Sequence, residues 1–198
     1  NKRVGTVADA WQPDHHAELK RLLVSSYVDG GIGLVSLPAG HLVAGYKKII
    51  TVGYRAIRDQ AQAWIDEHYG NLMGEDVRKY LFYKSIVITC DAAMTLVRRY
   101  SECCAAKAAQ TIDPKRKAEL EKMADGLANL VENPARNFWE AVQGIMMYQV
   151  MLQNESLFPS PALGRFDQYV WPYLEKELQE GTITMDVAQE IVEAFFLK

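Results

Sequence analysis

Between about Asp76 and Ala109 the chain runs without a single Gly or Pro. Leu81, Ile88, Ala92, Leu96 and Cys103 carry apolar character through that stretch, so it reads as one long helix or a closely joined pair. A helix of that length must be packed by others, and its flanks supply them. Upstream, Tyr46, Ile49, Ile50, Ile57, Ala61, Trp64 and Ile65 recur at helical spacing until Gly70, which predicts one long amphipathic helix. Downstream, Asp113-Pro114 offers an N-cap with Pro at the first helical position, and Leu120, Met123, Leu127 and Leu130 continue the stripe. Asn133-Pro134 repeats the start signal. Phe138, Trp139, Val142, Ile145, Met146, Tyr148 and Leu152 then make the most apolar helix, expected at the centre of the core with Trp139 buried. After a loop from Ser156 to Leu163 another helix opens near Arg165. Pro172 implies that this helix starts around Trp171 or kinks there. Gly181 ends it and Thr184 starts the last one. The expectation is a mainly α segment of about six helices, with a short extended piece near 34–41 and no internal repeat.

Composition narrows the function classes. Hydrophobic residues at 49% and charged residues at 24% describe a globular chain, and a net charge of −3 without a basic segment gives no field for nucleic acid. Cys90, Cys103 and Cys104 are an odd number, two of them adjacent, which argues against a disulfide framework and favours a reducing compartment. There is no run of about 18 apolar residues and no secretory h-region after Asn1-Lys2-Arg3-Val4, so cytoplasm and no membrane are the expectations. The chain begins without Met and stops at Ala194-Phe195-Phe196-Leu197-Lys198 without a helix terminator. It therefore reads as a piece of something longer.

Local motifs offer little chemistry. Gly30-Gly31-Ile32-Gly33 lacks the Lys-Ser/Thr and the strand of a phosphate loop, and reads as a turn. His15, His16, His41 and His68 form no metal-ligand pattern, and no metal is expected. Cys103 and Cys104 point about 100° apart on a helix and read as packing residues. The tract Asn154 to Asp167 differs, since it brings a carboxylate, two serines and two prolines directly after the most apolar helix, where polar groups can line a pocket. There Arg165 and Asp167 read first as a brace for the loop.

Taken together, three stretches resemble the glycyl radical enzymes of the pyruvate formate-lyase-like superfamily. The first is Asn133-Pro-Ala-Arg-Asn-Phe-Trp-Glu-Ala-Val-Gln143, similar to a Pro-Ala-x-x-Phe-x-Glu-Ala helix. The second is Glu155 followed by Gly164-Arg-Phe-Asp-Gln-Tyr-Val-Trp-Pro-Tyr-Leu-Glu175, similar to a Gly-Arg-x-Asp-Gln-Tyr signature. The third is Gly40-His41 with Tyr46. Thr182 to Lys198 looks like the helix that follows in the family. On this resemblance residues 1–198 form part of a single domain, a leading loop (1–40) and a helical part (41–198), within a parent shaped as a ten-stranded α/β barrel.

The resemblance implies an anaerobic parent, lyase, dehydratase, decarboxylase or formate acetyltransferase in type. A radical-SAM activating enzyme would install its glycyl radical, which would generate a thiyl radical on a cysteine loop, and that thiyl would abstract hydrogen from a small oxygen-bearing organic substrate. A homodimer is also in keeping with it. His41 and Ser160 then fall on substrate-contacting positions, where an imidazole and a hydroxyl can orient an oxygen, with Glu155, Arg165 and Asp167 in support. Glu155-Ser-Leu-Phe-Pro-Ser160-Pro-Ala-Leu-Gly-Arg departs from the family's Glu-Ser-Asn-Gly-His-Ser-Ile-Ser tract. Neither a Gly-Cys-hydrophobic-Glu loop nor a glycyl radical loop lies in the sequence, so no catalytic residue and no bound cofactor is expected here and the chain alone should be inactive. The rival expectation is a stand-alone helical interaction or structural module in which the same residues only pack.

Overall fold

The structure, a computed structural model, describes residues 42–155 and 161–197. The expected extended piece near 34–41 and the glycine cluster at 30–33 lie outside those residues. Seven helices are described: α1 (Tyr46–Val52), α2 (Tyr54–His68), α3 (Glu75–Gln110), α4 (Pro114–Leu130), α5 (Phe138–Glu155), α6 (Phe166–Glu180) and α7 (Met185–Phe196). The only β pairing among the described residues is a single parallel bridge between Val43 and Ala162.

The seventh helix comes from a break the sequence reading missed. The stretch 46–68 is not one helix, because Gly53 takes φ +82° between α1 and α2. A Cβ there would lie 2.7 Å from the backbone carbon of Asn133 and 2.9 Å from the Glu132 carbonyl oxygen, so only glycine fits under the 132–134 turn. Ending α1 early frees the Ile50 carbonyl, which accepts from the Ala135 N–H (2.9 Å) and the Tyr173 hydroxyl (2.9 Å).

That same turn moves the start of α5. Asn133-Pro134 does not cap a helix; Asn137 does, its Oδ1 accepting from the Glu140 N–H at 2.9 Å. The Ala135 N–H goes to Ile50 and the Arg136 N–H to the Glu140 carboxylate, and the first helical bond is that of the Ala141 N–H to the Asn137 carbonyl (3.0 Å). Elsewhere the local signals hold. Asp113 accepts from the Lys115 N–H (3.0 Å), Thr184 accepts from the Val187 N–H (3.3 Å), and Gly181 ends α6 at φ +69°. α6 runs through Pro172 rather than starting at Trp171. The missing N–H falls near the helix start, opposite the carbonyl of exposed Gln168.

α5 is the centre of the core. Phe138, Ala141 and Ile145 are at most 1% exposed and pack among Tyr46 and Ile50 of α1, Val97 of α3, Leu127 and Leu130 of α4, and Val170 and Leu174 of α6. Fully burying an aliphatic or aromatic side chain of this kind stabilises by about 1.5–3 kcal/mol. Trp139 is not among them. It is half-buried, with the Lys122 ammonium 4.4 Å from its ring centre, since Phe138 takes the inward position beside it.

α3 is a single helix that packs along α2 and α4. Its buried face is Val87, Cys90, Ala93, Met94, Val97, Cys104 and Ala108. Of the residues that marked it in the sequence, Leu81 (59% exposed), Ile88 (60% exposed), Ala92 and Cys103 face outward, and Leu96 is half-buried. The helix carries two apolar faces, and its neighbours among the described residues cover only one. By length and composition alone α3 is also apolar enough to cross a bilayer.

Candidate functional site

His41 and Ser160, the two expected substrate contacts, lie outside the described residues, as does the side chain of Glu155, whose backbone ends α5. The segments that follow each of them are described, and they meet. The Ala162 N–H donates to the Leu42 carbonyl at 3.0 Å, and Val43 and Ala162 form the parallel bridge. Two turns of sequence logic make the meeting tight. Gly164 sits at φ +65°, and a Cβ on it would fall 2.7 Å from Cγ1 of Val43. The glycine of the Gly-Arg-Phe-Asp run is thus required twice over, by its dihedral and by the valine seated on it.

Arg165 and Asp167 pair with each other at the start of α6. The guanidinium donates through Nε (3.0 Å) and Nη2 (2.7 Å) to the two carboxylate oxygens. The pairing holds the Asp167 carboxyl below its usual range and raises Arg165. Both side chains are about two-thirds exposed, so the pair contributes shape rather than much stability. Behind it, the Tyr169 hydroxyl donates to the Leu163 carbonyl at 2.9 Å. The Tyr169 ring lies nearly parallel to that of Tyr46, centroids 6.5 Å apart, and Tyr46 meets Tyr148 edge-on at 5.5 Å. The Tyr46 hydroxyl donates to the Gln149 side chain on α5. Burial pushes the Tyr169 phenol up, with Tyr46 adding to it, so it remains a donor at neutral pH. The sequence reading quoted Tyr169 within its motif and gave it no role, because its partners are remote in sequence or carry no side-chain signal.

The Pro-Ala-x-x-Phe-x-Glu-Ala run has a structural account. Glu140 is 2% exposed. Its carboxylate accepts from the Arg136 N–H (2.8 Å), the Arg136 guanidinium (2.8 and 2.5 Å) and the Asn129 amide (2.9 Å), while Arg136 also reaches Asp125 (2.5 Å). The partnership with Glu140, then Asp125, raises the Arg136 guanidinium further above its already high range. Gly126 lets α4 approach this knot, with Glu140 Cγ and Gln143 Oε1 within 3.3 Å of where a Cβ would stand. Pro134, Ala135, Phe138 and Ala141 complete the run as turn and core. Its residues build the joint between α4 and α5.

The cysteines do not form an activated centre. Cys90 and Cys104 are buried and their thiols are pushed up, mainly by burial, away from the reactive thiolate; Cys103 is exposed. Cys90 lies in the wall of an open cleft of about 820 Å³ between α1, α2, α3 and α5, among Tyr54, Ile88, Leu96, Tyr148 and Met151. Among the described residues no cluster of three His, Cys, Asp or Glu side chains could hold a metal ion. What the described residues can do chemically is hold backbone segments in register and exclude water.

A family model described as pyruvate formate lyase-like matches residues 7–198. Isethionate sulfite-lyase of Nitratidesulfovibrio vulgaris (strain Hildenborough) is 40% identical over 156 residues, which is 78% of this chain and 19% of that protein. The glycerol-bound B12-independent glycerol dehydratase of Clostridium butyricum superposes with a TM-score of 0.74 at 28% identity, over 98% of this chain and 27% of its own. A glycyl radical enzyme from Archaeoglobus fulgidus gives a TM-score of 0.74 at 25% identity, over 89% and 23%. The chain spans about a fifth of the length of the curated relatives it matches.

Proposed function

This chain belongs to the pyruvate formate lyase-like family of glycyl radical enzymes, and from that premise we propose that it forms one wall of the substrate pocket of a larger lyase- or dehydratase-type enzyme. His41 and Ser160 contact a small oxygen-bearing substrate, orienting its hydroxyl or acid oxygens. Glu155, Arg165 and Asp167 support the loop between α5 and α6. The thiyl and glycyl radical positions lie on parts of the parent beyond these residues, where a radical-SAM activating enzyme would act. The wall keeps water from the reaction. A single partial domain, a homodimeric parent, and cytoplasmic location, in keeping with three unpaired thiols, accompany this reading.

The observation that carries the proposal is the bridge between Val43 and Ala162 with Gly164 seated on Val43. It fixes against each other the two segments that follow positions 41 and 160, which is what a two-sided grip on one substrate requires. The similarity to a sulfite-lyase and to a glycerol-bound dehydratase favours substrates that carry a hydroxyl on a short carbon chain.

The test uses the full reading frame that contains this chain, expressed anaerobically with an activating enzyme. Glycerol and isethionate are supplied, and the organic radical is quantified by electron paramagnetic resonance. His41→Gln and Ser160→Ala should keep the radical and raise KM about tenfold each, the scale of one hydrogen bond to substrate. Wild-type KM and kcat in both variants would remove the assignment. A frame without cysteine and glycine radical loops would leave the rival reading, a helical interaction module. The exposed apolar face of α3 would then be the place to seek a partner.

A further inference from the structure

We infer that Tyr169 is a positioning residue for the pocket wall, its hydroxyl fixing the Leu163 carbonyl so that the Ala162–Gly164 segment stays docked on Leu42 and Val43. The inference rests on the proposed function, since the segments it aligns are those that follow His41 and Ser160.

Besides the Leu163 side chain, which packs against the core, three restraints act on the 161–164 segment. The Ala162 N–H is bonded to Leu42, Gly164 abuts Val43, and the Tyr169 hydroxyl holds Leu163 from behind. The first two bind the segment only to residues 42–43, and Leu42 and Val43 are themselves 50% and 63% exposed. Of these three, the third ties it to the core. Tyr169 is 8% exposed, and its ring lies between Phe166, edge-on at 5.9 Å, and Tyr46, near-parallel at 6.5 Å. Tyr46 is in turn 1% exposed and bonded to Gln149 on α5. The position of the wall is thus referred through two phenols to the most buried helix. A buried phenol makes a stiff strut, with few rotatable bonds and neighbours on both faces.

Nature supplies a matched control on the same helix. Tyr173, one turn on, also donates to a backbone carbonyl at 2.9 Å, but its acceptor is Ile50, which keeps the Ala135 N–H as a second partner and does not touch the 161–164 segment. Removing either hydroxyl deletes one bond of equal length from α6. Only one deletion releases the wall.

The experiment compares Tyr169→Phe and Tyr173→Phe in the full-length activated enzyme, reading KM and kcat for glycerol or isethionate, radical content, and Tm. The expected result is a KM raised about three- to tenfold in Tyr169→Phe, with wild-type KM in Tyr173→Phe, equal radical content and similar small losses in Tm. Val43→Ala, at an exposed position, should raise KM as well, and keeps the question open to measurement if Tyr169→Phe does not fold. Wild-type KM in Tyr169→Phe, wild-type KM in Val43→Ala where Tyr169→Phe does not fold, or an equal rise in Tyr173→Phe, overturns the inference alone. A wild-type enzyme that stores no radical and turns over neither substrate overturns the functional reading and this inference with it.

Discussion

Replacing Glu140 by Gln changes almost no volume and tests what the buried carboxylate contributes. Its oxygens accept two bonds from the Arg136 guanidinium, one from the Arg136 N–H and one from Asn129. The guanidinium is half exposed while the carboxylate side chain is 3% exposed, so the attraction between them is largely offset by the desolvation of the carboxylate. The larger loss is geometric. A carboxamide offers one acceptor oxygen where two were used, and turns an NH₂ group toward donors. Asn129 retains the Pro134 carbonyl at 2.9 Å, whereas either the Arg136 N–H or the guanidinium must lose its partner inside the joint. One unsatisfied buried donor costs about 1–3 kcal/mol, and the donor–donor contact adds to it, giving about 2–4 kcal/mol in total. For a chain of this size that is a fall of about 4–16 °C in Tm. Thermal and urea melts followed by circular dichroism measure it, with Glu119→Gln, in an exposed pair with Arg116, as the control expected within about 0.5 kcal/mol of wild type. A Glu140→Gln variant as stable as the control would refute the account of the motif as a satisfied buried joint.

Other outcomes follow from the same geometry. Gly53→Ala meets three backbone atoms within 2.9 Å and should cost more stability than Gly164→Ala, which meets one valine methyl; melts rank the two. Trp139→Ala should lose about 1–2 kcal/mol rather than the 3–5 kcal/mol of a buried aromatic, because the ring is half exposed and keeps only a surface cation contact. In the folded protein one thiol, Cys103, should react quickly with a disulfide reagent at pH 8, while Cys90 and Cys104 wait for unfolding; three equal rates would contradict their burial. The Glu132 carboxyl is held low chiefly by its hydrogen bond from Arg55, so its contribution is complete above the unfolded carboxyl range and fades as pH falls through the lower folded value. Glu132→Gln should therefore flatten the acid side of the stability profile and leave its alkaline side parallel to wild type.

How far the sequence could be read depended on how local the deciding contacts were. Asp113-Pro114, Thr184 and Gly181 settle helix ends within four residues, and they were legible. The break at Gly53 and the delayed start of α5 are two sides of one long-range junction, where Ile50 serves Ala135 and Tyr173. A periodicity count sees neither. The outward face of α3 was mistaken for a marker of the core because both faces are apolar, and only the packing of α2, α4 and α5 selects one. At the site, the pairing of Arg165 with Asp167 is local, two residues apart, and was legible from their spacing. The glycine between them and Val43 was quoted but unexplained, since its reason lies in a residue far back in the chain.

The bond from Tyr173 to Ile50 closes a loop of 123 positions, and that of Tyr46 to Gln149 one of 103. By contrast, α2, α3 and α4 are consecutive and pack as hairpins. Loop-closure entropy and contact order then set a sequence of events, with the hairpins forming first and the union of residues 42–50 with 149–173 coming last. A segment docked in the final step is also the first part to be lost. A chain destabilised at that union would keep its helical signal and a folded α2–α4 hairpin while residues 42–43 and 161–164 came apart, so secondary-structure content is a poor guide to whether that union is intact.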